Sequence, residues 1–208
     1  MSTITPPRGL YLITPDIADD AQLLARTRPL LDSGAVTWLQ YRNKSADDAQ
    51  RRRQAEQLLA LCQSVGVPLI INDDLALALA IGAAGLHRED DISTLAQLRT
   101  ALGPHALLGA SCYDQPALAD AAVREGASYV SFGAFFASRS KPTTHRATPA
   151  VFQATASLGV PRVAIGGLTP DNAGPVVAAG ADLVAVIGGV FDAPDPIAAA
   201  RALQALFA

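Results

Sequence analysis

The chain has 208 residues, half of them hydrophobic and only 17% charged, with a formal net charge of −3. That balance excludes a disordered segment and offers no basic field for nucleic acid or an anionic membrane surface. No run approaches the ~20 apolar residues of a membrane helix, residues 1–9 lack a signal-peptide core, and Cys62 and Cys112 have no metal or disulfide spacing. The expectation is one domain over residues 1–208, soluble in a reducing cytoplasm.

In chain order, residues 9–14 (Gly-Leu-Tyr-Leu-Ile-Thr) predict a strand ended by Thr14-Pro15-Asp16. Leu23, Leu24, Leu30 and Leu31 give helical spacing over 21–31, with Pro29 late in it. A second strand, 35–41, ends in Gln40-Tyr41-Arg42-Asn43-Lys44, and 46–65 is a helix with Arg51, Arg52 and Arg53 on its solvated side. Pro68 opens the unbroken apolar run Leu69-Ile70-Ile71, the mark of a strand buried on both faces. Polarity then switches on with Asn72-Asp73-Asp74, where Asp74 also reads as a helix cap. Helix 75–81, strand 85–87 ending in His87, helix 94–102 and strand 106–111 ending in Ser111 follow. Next come helix 117–125, strand 128–132, and a long irregular stretch, 133–148, which is the candidate lid. Helix 149–158, strand 162–165, Gly166-Gly167, helix 172–179, strand 182–187, Gly188-Gly189 and helix 196–207 complete the chain.

Strand and helix thus alternate about eight times, which predicts an α/β fold of (β/α)8 barrel type, with a doubly wound open sheet as the alternative. Ser33-Gly34-Ala35, Ile81-Gly82-Ala83, Glu125-Gly126-Ala127 and Ala179-Gly180-Ala181 read as an echo every two units, each glycine ending a helix before an even-numbered strand.

In such folds, ligands bind at the carboxyl ends of the strands. Two regions emerge when these ends are set side by side. Arg42, Lys44 and Lys141, the donors Asn72 and Ser111, and the carboxylates Asp73 and Asp90 or Asp91 suit a polyphosphate with a hard cation. Ser138, Ser140, Gly166-Gly167 and Gly188-Gly189 suit a monophosphate approached by backbone N–H groups. His87 reads equally as a core histidine or a ligand contact, Cys112 has no evident base beside it, and His105 and His145 belong to no visible constellation.

The segments Leu39-Gln40-Tyr41-Arg42-Asn43-Lys44, Leu69-Ile70-Ile71-Asn72-Asp73-Asp74, Gly85-Leu86-His87, Gly109-Ala110-Ser111, 133–141 and Ala164-Ile165-Gly166-Gly167 resemble, in this order, the thiamine phosphate synthase family. The resemblance implies a Mg²⁺-assisted transferase on a (β/α)8 barrel, joining a hydroxymethylpyrimidine pyrophosphate to a thiazole phosphate by a dissociative route. It implies Gln40 on the pyrimidine, and Arg42, Lys44, Asn72, Ser111 and Lys141 on the pyrophosphate. Asp73 and Asp91 would bind Mg²⁺, and Ser138, Ser140, Gly167, Ile187 and Gly188 the thiazole phosphate. Its partners would be these small molecules, with no nucleic acid or membrane, and a homo-oligomer is compatible with it. The chain departs from the family pattern in running from His87 straight into Arg88-Glu89-Asp90-Asp91, and in carrying Gly188 where a serine is usual. The alternatives are a thiazole tautomerase-like isomerase and a non-catalytic phosphate-binding barrel.

Overall fold

A computed structural model describes residues 7–137 and 144–208. The eight strands are β1 (Gly9–Ile13), β2 (Val36–Tyr41), β3 (Leu69–Asn72), β4 (Gly85–Arg88), β5 (Leu107–Ser111), β6 (Tyr129–Phe132), β7 (Arg162–Ile165) and β8 (Leu183–Val186). They pair in sequence order, all parallel, and β1 closes on β8 through Leu10↔Val184 and Tyr11↔Ala185. The barrel is the observed architecture, and the open-sheet alternative is excluded.

Around it lie α1 (Asp20–Asp32), α2 (Asp48–Val65), α3 (Leu75–Ile81), α4 (Leu95–Leu102), α5 (Pro116–Arg124), α6 (Ala150–Ala154), α7 (Gly174–Ala178), α8 (Gly188–Phe191) and α9 (Pro196–Ala205), with a 3-10 turn at Ile92–Thr94. Asp19, Asp47, Asp74 and Asp195 cap α1, α2, α3 and α9, each accepting from the backbone N–H three residues on. Each such cap contributes about 1 kcal/mol. Helix α1 runs through Pro29, which forgoes one backbone bond near the helix end. Helices α6 and α7 are shorter than the sequence pattern suggests, and α8 is a turn that pattern does not announce.

A glycine at positive φ precedes every strand from β2 onward: Gly34, Gly66, Gly82, Gly103, Gly126, Gly159 and Gly180. The repeat is therefore one strand–helix unit, and the apparent two-unit echo is a subset of it. The physical requirement is similar each time, since the chain must turn from a helix into a strand at positive φ, where glycine is the residue least strained.

Strand side chains alternate between two cores. Leu10, Leu12, Leu39, Ile71, Leu86, Leu108, Val130, Ala164 and Val184 point out and pack with the helices. Tyr11, Ile13, Trp38, Ile70, Tyr129, Val163, Leu183 and Ala185 point in and fill the barrel. Room for the interior aromatics comes from Gly109, where an added Cβ would lie 2.0 Å from the Tyr129 ring. The rings interlock, with Tyr11 and Trp38 edge-on at 5.4 Å and Trp38 tilted against Tyr129 at 5.0 Å. At the opposite end from the strand carboxyl termini, Gln204 of α9 accepts from the N–H of Leu10 at 3.0 Å. No described helix is long and apolar enough to cross a membrane.

Candidate active site

The interior alternation continues past the strand ends and lines a cavity of about 620 Å³ at the barrel mouth. Its wall takes residues in steps of two: Tyr11 and Ile13, Gln40 and Arg42, His87 and Glu89, Ser111 and Tyr113, Ser131 and Gly133, Val163 and Ile165, Ala185 and Ile187. Period-two geometry thus turns strand-end sequence directly into site composition.

On the β1–β4 side the wall is charged, and Glu89 is its centre. Its buried carboxylate lies 2.6 Å from Lys44 Nζ and 3.7 Å from Arg42 Nε, while its own N–H donates to Asp73 Oδ1 at 2.9 Å. Arg42, Lys44 and Asp73 are thereby gathered around one residue. Asp16, at the exit of β1, accepts from Arg42 Nη1 at 3.1 Å and from the N–H of Lys44 at 2.9 Å. Thr14 clamps the Arg42 backbone from the other side, accepting its N–H and donating to its carbonyl, both at 2.9 Å. The Arg42–Glu89 pair, buried on both sides, acts chiefly by fixing geometry, because desolvation offsets most of its attraction, while the pairs to exposed Lys44 and Asp16 are screened by solvent.

Asn72 donates to Asp73 Oδ2 at 2.9 Å, and its own Oδ1 is buried with no hydrogen-bond partner among the described residues. Asp73 sits at φ 57° and also faces Arg88 Nη1 at 3.7 Å. Lys44, Asn72, Asp73 and Asp91 do not line the cavity; the first three stand just behind its charged wall, around Glu89. Asp91 starts the 3-10 turn and accepts from Ser93, whose side-chain and backbone donors hold its carboxyl below the usual range. Asp90 accepts from the Tyr113 hydroxyl at 2.6 Å.

Across the floor runs a hydrogen-bonded chain. Gln40 Nε2 donates to Tyr11 Oη at 2.7 Å, Tyr11 Oη meets Tyr129 Oη at 2.8 Å, Tyr129 Oη meets His87 Nδ1 at 3.0 Å, and His87 Nε2 meets Ser111 Oγ at 3.1 Å. Ser131 Oγ donates to Ser111 Oγ at 3.5 Å. His87 is therefore both buried and in the cavity wall.

On the β6–β8 side the wall is backbone: Gly133, Gly166, Gly167, Ile187, Gly188 and Gly189 all face the cavity. Gly167 and Gly188 stand where the sequence places them, whereas Ser138, Ser140 and Lys141 lie outside the described residues. His145, with no constellation visible in sequence, bonds Asp114 at 3.0 Å and packs its ring 4.6 Å from that of Tyr113. Sequence reasoning missed Glu89 as the centre, along with Asp16, Tyr11, Tyr129 and Ser131. The signals were present, in a polar exit from the first strand and tyrosines inside apolar runs.

Fold and site together define the class, a (β/α)8 barrel with a small-molecule cavity at the strand carboxyl ends, charged on one side and glycine-lined on the other. Residues 10–190 match the family described as TMP-TENI, thiamine monophosphate synthase. The chain is 55% identical over 207 residues to the thiamine-phosphate synthase of Xanthomonas campestris pv. campestris strain 8004, covering 100% of this chain and 99% of that one. It is 55% identical over 201 residues to the thiamine-phosphate synthase of Xylella fastidiosa strain Temecula1, covering 97% of this chain and 85% of the relative. The solved thiamine phosphate pyrophosphorylase from Pyrococcus furiosus superposes with a TM-score of 0.83 at 26% identity, over 96% of this chain and 95% of that one. The chain belongs to the thiamine monophosphate synthase family.

Proposed function

We propose that this chain is a cytoplasmic transferase that condenses a hydroxymethylpyrimidine pyrophosphate with a thiazole phosphate, releasing pyrophosphate and thiamine phosphate with the help of Mg²⁺. Family membership supports the reaction, and the observation that carries it is the gathering of Arg42, in the cavity wall, and of Lys44 and Asp73, just behind it, around Glu89.

Gln40 would face the pyrimidine, while Arg42, Lys44, Asn72, Ser111 and Lys141 would take the diphosphate. Diphosphate would replace Glu89 as counterion to the two cations. The pyrimidine's exocyclic C–O bond breaks with its electron pair leaving on the diphosphate. The resulting cation is delocalised over the aminopyrimidine, and the thiazole nitrogen attacks it with its lone pair. Arg42 and Lys44 stabilise the leaving charge, and a shared cavity aligns the two rings. The backbone at Gly167, Ile187 and Gly188, with the hydroxyls of Ser138 and Ser140, would hold the thiazole phosphate.

Asp73 and Asp91, with Asn72 Oδ1, offer oxygen donors at the ends of β3 and β4. That fits Mg²⁺, which uses one or two carboxylates and completes its shell with water and substrate phosphate. Asp73 and Asp91 would hold the ion, with the unpartnered Asn72 Oδ1 beside Asp73. Bound there, it would neutralise diphosphate charge.

The test supplies both substrates, with and without Mg²⁺, and follows pyrophosphate release. Release should require both substrates, and Asp73→Asn should slow it by ~10²-fold, the scale for one preorganised electrostatic contact. Product formed from the thiazole phosphate alone, or a near-normal rate in the variant, rejects the assignment.

A further inference from the structure

We propose that Tyr129, backed by Tyr11, is a positioning residue that sets which ring nitrogen of His87 carries the proton and so aims the Ser111 hydroxyl into the cavity. The inference rests on the functional reading above only in taking a diphosphate oxygen as what Ser111 meets.

Counting donors along the floor gives the chain a direction. The Gln40 amide donates to Tyr11 Oη, so the Tyr11 proton goes to its other partner, Tyr129 Oη. Tyr129, having accepted one bond, donates its own proton to His87 Nδ1. The imidazole is thereby neutral with its proton on Nε2, and that N–H donates to Ser111 Oγ. Ser131 supplies a second donor to the same oxygen. With Ser111 Oγ accepting from His87 and Ser131 at 3.5 Å beside it, the Ser111 proton is left to donate, and Ser111 lines the cavity.

With the Gln40 Nε2 turned to Tyr11, the opposite direction fails the same count. If Ser111 donated to His87 and the protons ran back toward β1, Tyr11 would accept from both Gln40 and Tyr129. Its own proton would then have no acceptor among the described residues, on a side chain that is 1% exposed, and a stranded buried donor is unfavourable. Burial also raises both phenols far above their ordinary range, so they remain donors at any working pH. Ring packing supports the alignment, with His87 stacked 5.5 Å from Tyr129.

The test uses the full chain. Its three histidines allow His87 ring ¹⁵N resonances to be assigned by replacing His105 and His145. The unaltered protein should show the Nε2–H tautomer, and Tyr129→Phe, which keeps the ring, should convert it to a mixture. Inorganic pyrophosphate should bind about tenfold more weakly to Tyr129→Phe, the scale of one hydrogen bond to a charged group. In a Ser111→Ala background the same change should cost nothing further, because Tyr129 acts through Ser111. Should Tyr129→Phe fail to fold, Tyr11→Phe reads the same chain and should shift tautomer and affinity in the same direction by less. An unchanged Nε2–H tautomer, or losses that add in the double variant, overturns the proposal. The tautomer and pyrophosphate readouts need no turnover, so their failure and failure of the synthase assignment are separate results.

Discussion

The two halves of the barrel mouth hold their contents by different means. Along β1 to β4, the rim is built of side chains, with Asp16, Arg42, Lys44, Asp73 and Glu89 bonded to one another. Along β6 to β8, it is built of main chain, and what matters is the atom that glycine lacks. A Cβ on Gly167 would lie 2.3 Å from the carbonyl oxygen of Ala137, and one on Gly189 would lie 2.1 Å from that of Leu168. The charged half is therefore vulnerable to truncation and the backbone half to enlargement. The two halves should also report on different substrates.

The sharpest way to break that division is Arg42→Ala. It removes a cation whose side chain is only 11% exposed and should lower kcat/KM for the pyrimidine pyrophosphate by ~10²–10³-fold. The KM for the thiazole phosphate should hardly move. Gly167→Ala is the mirror experiment. At φ 63° with a carbonyl in the way, the added methyl displaces the cradle and should reduce kcat/KM for the thiazole phosphate by ~10²-fold, as ångström-scale misplacement does. Steady-state kinetics with each substrate varied separately would show whether one half fails at a time; equal effects on both substrates would merge the halves into one site.

The floor that joins the halves can be tested by alkali. All four tyrosines are pushed up: Tyr11, Tyr41 and Tyr129 mainly by burial, and Tyr113 to about 12 by burial and then its bond to Asp90. A raised phenol stays protonated in the fold after it ionises in the unfolded chain. Stability is thus intact below the ordinary tyrosine pKa of 10, and that of Tyr113 is lost as pH rises from there to about 12. Phenolate absorbance should lag a free-tyrosine titration and then appear together with loss of the near-ultraviolet dichroism of the fold. Ionisation near pH 10 without unfolding would contradict the buried floor.

The smallest effect belongs to Gly188→Ser, which restores the hydroxyl usual in the family. Its Cβ would meet only the Asp192 carboxylate, Oδ2 at 2.8 Å, the far end of a movable side chain. The new hydroxyl should improve KM for the thiazole phosphate by about two- to tenfold, the range for one net hydrogen bond. Weaker binding would mean that position 188 works through its backbone alone.

The barrel was legible because the buried strands read as short apolar runs that stop at a polar residue or a glycine, as at Thr14, Gln40, Asn72, His87, Gly133, Gly166 and Gly188. The charged half was legible for the same reason. Its centre was not, because three consecutive acids follow His87 and Arg88 and their composition alone does not say which one turns inward. Counting in twos from His87 reaches Glu89, which is where the strand geometry places the inward carboxylate. Tyr11 and Tyr129 were invisible as partners for a different reason. They are 118 positions apart in the chain and meet only because the sheet closes into a ring. The link between His145 and Asp114 likewise joins loops after different strands, and α8, at four residues, is too short for any periodicity to declare.

Closure of β1 onto β8, with Gln204 fastened to the backbone of Leu10, has a consequence for synthesis. On the ribosome the first strand emerges long before either of the segments that complete it. The nascent chain therefore carries an unzipped edge until β8 and α9 have been made, and that edge is an invitation to mispairing. Deleting α9 should trap translation products in this open form, which makes the last ten-residue helix the latch on which productive release depends.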